Sequence, residues 1–171
     1  MEFQQNLLNG GNTLNVDRLR KLYAMMSGIP AKKVEMDMWR QSDDFEGKSI
    51  TDQALIGRCD THACLLGWAS AYPEFKEAGL SADKFGWPLF QSHEGGQDSG
   101  AAFFGLTYDQ ADFLFSASGD FDNGKSQKQI ALDRLAALLW KTDVISKKRF
   151  KELLSESKAE AQAEAQACYA K

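Results

Sequence analysis

Apolar side chains recur at helical spacing in stretch after stretch of this chain, and that periodicity confines it to a helical fold. In residues 15–30, Val16, Leu19, Leu22, Tyr23 and Met26 fall at i, i+3, i+4 intervals. Asn15 stands where an N-cap belongs, and Gly28 and Pro30 stop the run. Thr107 and Gln110 have capping-box spacing ahead of Ala111, Leu114 and Phe115. Ser126 and Gln129 repeat it ahead of Ile130, Leu135, Leu138 and Leu139. Ser146 opens a last helix with Phe150, Leu153 and Leu154 inward, and Thr51 a brief one through Ala54, Leu55 and Ile56 to Gly57. Thr61 reads as the N-cap of a helix bearing Cys64, Leu65, Trp68 and Tyr72, which Pro73 halts. Alternation occurs once, where Val34, Met36 and Met38 interleave with Glu35, Asp37 and Trp39 as in a short extended segment.

The expected fold is therefore mainly α, a single compact domain over residues 1–158. It should hold about five to seven helices and at most one minor strand pair. Residues 81–102 look turn-rich, with Gly86-Trp87-Pro88 and Gly95-Gly96, and a span of that kind inside a domain is usually functional or mobile. The Ala/Glu/Gln-rich tail, 159–171, favours helix by propensity but lacks an apolar stripe, so a projecting or frayed end is expected.

With 171 residues and 43% apolar side chains, the chain can bury a core without disulfides or metals. Its three cysteines, an odd count, are expected to be thiols. The first residues lack a basic stretch followed by an apolar one, and no run approaches the ~18 apolar residues of a membrane span. A cytoplasmic protein with no membrane partner and no cofactor is the expectation. The net charge of −4 hides an asymmetry: residues 125–158 carry nine Lys/Arg against four acids, whereas residues 1–124 sum to −8.

Three constellations could carry chemistry. Cys59, His62 and Cys64 place two sulfurs and an imidazole within six residues, the ligand types zinc prefers, but a structural site wants four ligands. Read structurally, Cys64 packs one turn before Trp68, Gly67 marks a close helix approach and His62 is exposed; Cys64→Ser would then destabilise the fold. A Cys59–Cys64 redox pair or disulfide is a further alternative, as is a thiol nucleophile, for which Cys59 near the presumed helix start is the better placed. Asp120-Phe121-Asp122-Asn123-Gly124 begins like a calcium loop, but Gly124 and Ala131 miss the glycine and glutamate positions, leaving a turn. Lys147, Lys148, Arg149 and Lys151, with Lys125, Lys128, Arg134 and Lys141 upstream, form a basic patch that could meet phosphates or be a solvated helix face. Phe85, Trp87, Leu89 and Phe90 put large apolar groups on a loop, where they either tuck into the core or anchor another protein.

The stretch Cys59-Asp60-Thr61-His62-Ala63-Cys64-Leu65-Leu66-Gly67-Trp68-Ala69 resembles a Cys-Gly-Thr-x-x-Cys-x-x-Gly-Trp-Ala motif found in an uncharacterised family of small bacterial and bacteriophage proteins. Asp60 stands where that motif has glycine. Val34 to Trp39, Phe103-Phe104-Gly105-Leu106-Thr107, Gln110-Ala111 and Leu114-Phe115 are similar to the same family and keep its order. The resemblance implies a phage or prophage setting and brings no activity. The functional expectation is a non-enzymatic accessory protein that binds another protein, such as a modulator or inhibitor of a bacterial host factor. The alternatives are a thiol or metal-dependent enzyme centred on Cys59, His62 and Cys64, and nucleic-acid binding through the basic helices of residues 125–151.

Overall fold

The computed structural model describes residues 13–42, 50–57, 60–91, 93, 95–117 and 124–141. They form seven α-helices: α1 (Val16–Ser27), α2 (Asp52–Gly57), α3 (Leu65–Ala71), α4 (Pro73–Glu77), α5 (Gln97–Phe104), α6 (Tyr108–Phe115) and α7 (Gln127–Lys141). A 3-10 turn, Ala31–Lys33, follows α1. Four two-residue strands pair antiparallel in twos. β1 (Gln41–Ser42) matches Gln41 to His62 and Ser42 to Thr61 of β2 (Thr61–His62). β3 (Ser81–Ala82) matches Ser81 to Leu89 and Ala82 to Pro88 of β4 (Pro88–Leu89). The fold is mainly α as expected, with two small pairs rather than one.

α1 starts as its sequence dictates: the Asn15 side chain accepts the Arg18 amide at 3.1 Å, and Leu19, Leu22, Tyr23 and Met26 are buried. α7 packs along α1, and its Ile130, Leu135, Leu138 and Leu139 face the interior. Helix α6 carries the full reciprocal capping box, with Thr107 accepting the Gln110 amide and the Gln110 side chain accepting the Thr107 amide. At α7 only the forward half is used as expected: Ser126 accepts the Gln129 amide, while the Gln129 side chain donates to Asp133. Edge-to-face aromatic contacts fill the core, with Phe103 5.4 Å from Phe75, 5.1 Å from Phe90 and 4.9 Å from Phe104.

Three local expectations are corrected. Thr61 is not the N-cap of α3. It lies in β2, and its hydroxyl donates backwards to the Ala54 and Leu55 carbonyls at 3.2 and 3.1 Å, closing the end of α2. A hydroxyl satisfies orphan carbonyls as readily as orphan amides, so a threonine between two helices can serve either. The α3 cap is Cys64, whose Sγ accepts the Gly67 amide at 3.3 Å. Residues 34–38 make no strand: Val34 and Met36 are buried, but a single bridge from Val34 to Ala63 replaces a ladder. Finally, the turn-rich span of 81–102 contains β3, β4 and most of α5. That helix hides in the sequence because it begins at Gly96, at φ +64 without a side-chain cap, and contains Gly100. Gly100 is needed for packing: a Cβ there would sit 2.7 Å from Phe115 and 2.8 Å from Leu66.

The helix expected from Ser146, the Asp120 turn, the Lys147–Lys151 basic patch and the 159–171 tail lie outside the described residues, as does Cys59.

Candidate functional site

The sulfur and imidazole segment is built into the frame. Cys64 donates its amide to the Met38 carbonyl at 2.8 Å and is a buried free thiol. Burial pushes that thiol up to about 11, opposite to the depression a nucleophile or metal ligand wants. His62 is half-buried rather than exposed, with its Nε2 3.1 Å from Gln41 Oε1 across the strand pair. His93 is exposed on the loop after β4. Among the described residues no three His, Cys, Asp or Glu side chains gather as a metal site. The close approach expected at Gly67 is present, but the partner is the Trp39 backbone: a Cβ would lie 1.7 Å from the Trp39 carbonyl oxygen.

Two of the described cations of the basic stretch, Lys128 and Arg134, are spent inside the fold. Lys128 is buried and donates to the Ser27 carbonyl at 2.7 Å, where α1 ends. Arg134 is buried and donates to the Ser116 carbonyl at 2.6 Å, where α6 ends. Lys125 pairs with Asp133 at 2.6 Å. Two cations elsewhere do the same work. Lys33 donates to the Leu55 carbonyl at 2.5 Å in the last turn of α2, and Arg18 to the Phe103 carbonyl at 2.5 Å in the last turn of α5. Lys128, Arg134, Lys33 and Arg18 each meet the negative end of a helix dipole and satisfy an orphan carbonyl there.

The aromatic loop is different. Phe85 is 68% and Trp87 50% exposed, yet the backbone carrying them is tightly organised. Asp83 Oδ1 accepts both the Phe85 and Trp87 amides, at 2.8 and 2.9 Å. The Asp83 amide donates to the Trp87 carbonyl and the Gly86 amide to the Asp83 carbonyl, each at 3.0 Å. Gly86, at φ +83, lies against the stem of buried Arg40, where a Cβ would meet side-chain carbons at 3.1 Å. Arg40 is itself held by Asp52 at 2.8 Å and donates to Ser70 at 2.9 Å. The Trp87 ring lies 6.2 Å from that of half-buried Trp39, tilted by 50°. The remaining large apolar residues of the loop divide: Leu89 is half-buried, and Phe90 is a core residue against Phe103.

A second apolar feature is an open cleft of about 530 Å³ between the end of α1 and the start of α4, lined by Met25, Ile29, Ile56, Trp68 and Tyr72 among others. Its walls come from three separate stretches of the chain, residues 24–29, 56 and 68–73, so no local motif announces it.

No helix among the described residues is long and apolar enough to cross a membrane. No protein-family model, curated protein or solved structure matches the chain.

Proposed function

We propose that this chain is a non-enzymatic binding protein that docks another protein through the Phe85–Trp87 tip of the β3–β4 hairpin. The observation carrying this reading is the combination of exposed aromatic side chains with a backbone fixed by four hydrogen bonds around Asp83. A loop ordered before binding spends little further entropy on association, and Trp is enriched among residues that dominate interface energies. The raised Cys64 thiol speaks against the thiol-enzyme alternative, and the internal employment of Lys128 and Arg134 against a phosphate-binding face on α7. The resemblance of Cys59 to Ala69 to bacterial and bacteriophage proteins supports a host factor inside a bacterial cell as the target, with the chain as its modulator or inhibitor.

The test is affinity capture from bacterial lysate with the wild-type chain and a Phe85→Ala/Trp87→Ala variant, after matched melting curves establish that both are folded. One protein should be retained by the wild type and lost by the variant. Equal retention, or none by either, sinks the reading.

A further inference from the structure

Resting on the docking role of the Phe85–Trp87 tip, we infer the chemistry of what docks: a basic polypeptide segment, in which Lys or Arg side chains flank an apolar residue seated on Trp87. The charges around the tip carry this. Asp37 is exposed two residues before Trp39, and Asp98 is exposed two residues after Gly96. Both lie on backbone that adjoins the tip, since the Trp39 ring neighbours Trp87 and a Cβ on Gly96 would meet Trp39 Cζ2 at 3.3 Å. Asp83 adds a third carboxylate at the base of the turn.

The cations nearby, Arg40 and exposed Lys84, offset part of this. Arg40 beneath the tip is matched by Asp52 at 2.8 Å. Lys84 lies over the Phe85 ring, 4.8 Å from its centroid, so a cation already occupies one aromatic face of the tip. An indole face attracts a cation more strongly than a phenyl face does. At longer range the net charge of −4 draws a basic partner in and repels an acidic one. An apolar anchor with exposed carboxylates on the adjoining backbone therefore favours a segment of opposite charge.

The probes are a synthetic ten-residue peptide alternating arginine with leucine, and its twin with glutamate in place of arginine. Each is titrated against the full chain at low and moderate salt while Trp fluorescence and heat are followed. The basic peptide should bind and the acidic one should not. Trp87→Ala should weaken binding about tenfold or more. Asp37→Asn/Asp98→Asn, whose melting curve should match wild type, should weaken it about threefold and flatten its salt dependence. Equal binding of the two peptides, binding of neither, or an unaffected Asp37→Asn/Asp98→Asn variant overturns the inference. Basic-peptide binding that survives Trp87→Ala is bulk charge attraction and overturns it as well. None of these results touches the docking role, which fails only if the capture experiment shows no dependence on Phe85 and Trp87.

Discussion

The Lys128 ammonium donates to the Ser27 carbonyl at 2.7 Å across 101 residues of sequence, so that α7 finishes α1. Helix α1 has no basic residue in its own last turn, and the orphan carbonyl there is served from outside. Replacing Lys128 by methionine keeps the apolar stem but leaves Ser27 without its donor. The expected loss is about 2 kcal/mol, the cost of stranding a part-buried polar group together with the packing around it. In a domain of this size that lowers Tm by about 5 °C, measurable by calorimetry. A loss below about 0.5 kcal/mol would mean that water replaces the ammonium.

Gly67→Ala should be among the most damaging single changes available. A Cβ 1.7 Å from the Trp39 carbonyl oxygen and 2.8 Å from its carbon collides with backbone, which cannot swing aside as a side-chain tip can. The helix-propensity gain of about 1 kcal/mol is far too small to compensate. Little folded protein is expected. Gly57→Ala, where a Cβ meets nothing within 4 Å, is the matched control and should be neutral or slightly stabilising. Similar denaturation midpoints for the two variants would contradict this placement of Trp39.

At Cys64 the cap geometry argues for a prediction opposite to the expectation that serine would destabilise. The sulfur acts as a helix cap, and a hydroxyl is a better cap acceptor. Cys64→Ser should retain near-native stability, while Cys64→Ala should cost about 1 kcal/mol or more through the lost cap. Burial also raises the native thiol to about 11 from the ordinary 9.0. The unfolded chain therefore releases this proton first, and stability present below pH 9 should decline as pH rises from 9 towards 11. Cys64→Ser should lack that part of the decline in urea midpoints.

Asp52 sets the acid side. Its partial burial alone would raise the carboxyl, but the hydrogen bond from Lys76 and the charge of Arg40 outweigh burial and hold it below the usual 3.8. A depressed native value means the contribution is complete above 3.8 and is lost as pH falls through the lower folded value. Asp52→Asn should destabilise at neutral pH, because it leaves the buried Arg40 guanidinium without its counter-charge. The gap between variant and wild type should close as pH falls below 3.8 through the lower folded value. A gap independent of pH would show that the carboxylate charge is immaterial.

How much of this was legible in the residues depends on the range over which each interaction acts. The Asn15 and Thr107 caps bond three residues ahead, and the pattern Leu19, Leu22, Tyr23, Met26 has a period of its own, so both are visible locally. Helix α5 is invisible because Gly96 and Gly100 weaken local propensity to satisfy Trp39, Phe115 and Leu66, which come from other parts of the chain. The same holds for Thr61, whose residue type announces a cap without saying which helix end it closes. At the candidate site, Trp87 and Phe85 were recognisable as large apolar groups on a loop. That Phe90 belongs to the core while its neighbours project follows from contacts with Phe103 that no spacing rule contains. Lys128 and Arg134 read as surface charges because a cation is a cation in sequence, whatever carbonyl it finds.

The cations sunk into helix ends also change how the molecule meets a reagent. Lys33 and Lys128 have their ammonium groups committed to carbonyls beneath the surface. An amine-acylating label applied to the native protein should therefore pass over both while reacting with exposed Lys32 and Lys84. Once the chain is unfolded all four become equivalent. The two silent lysines are thus a built-in footprint of folding: the moment either one takes up label, the helix end it closes has opened.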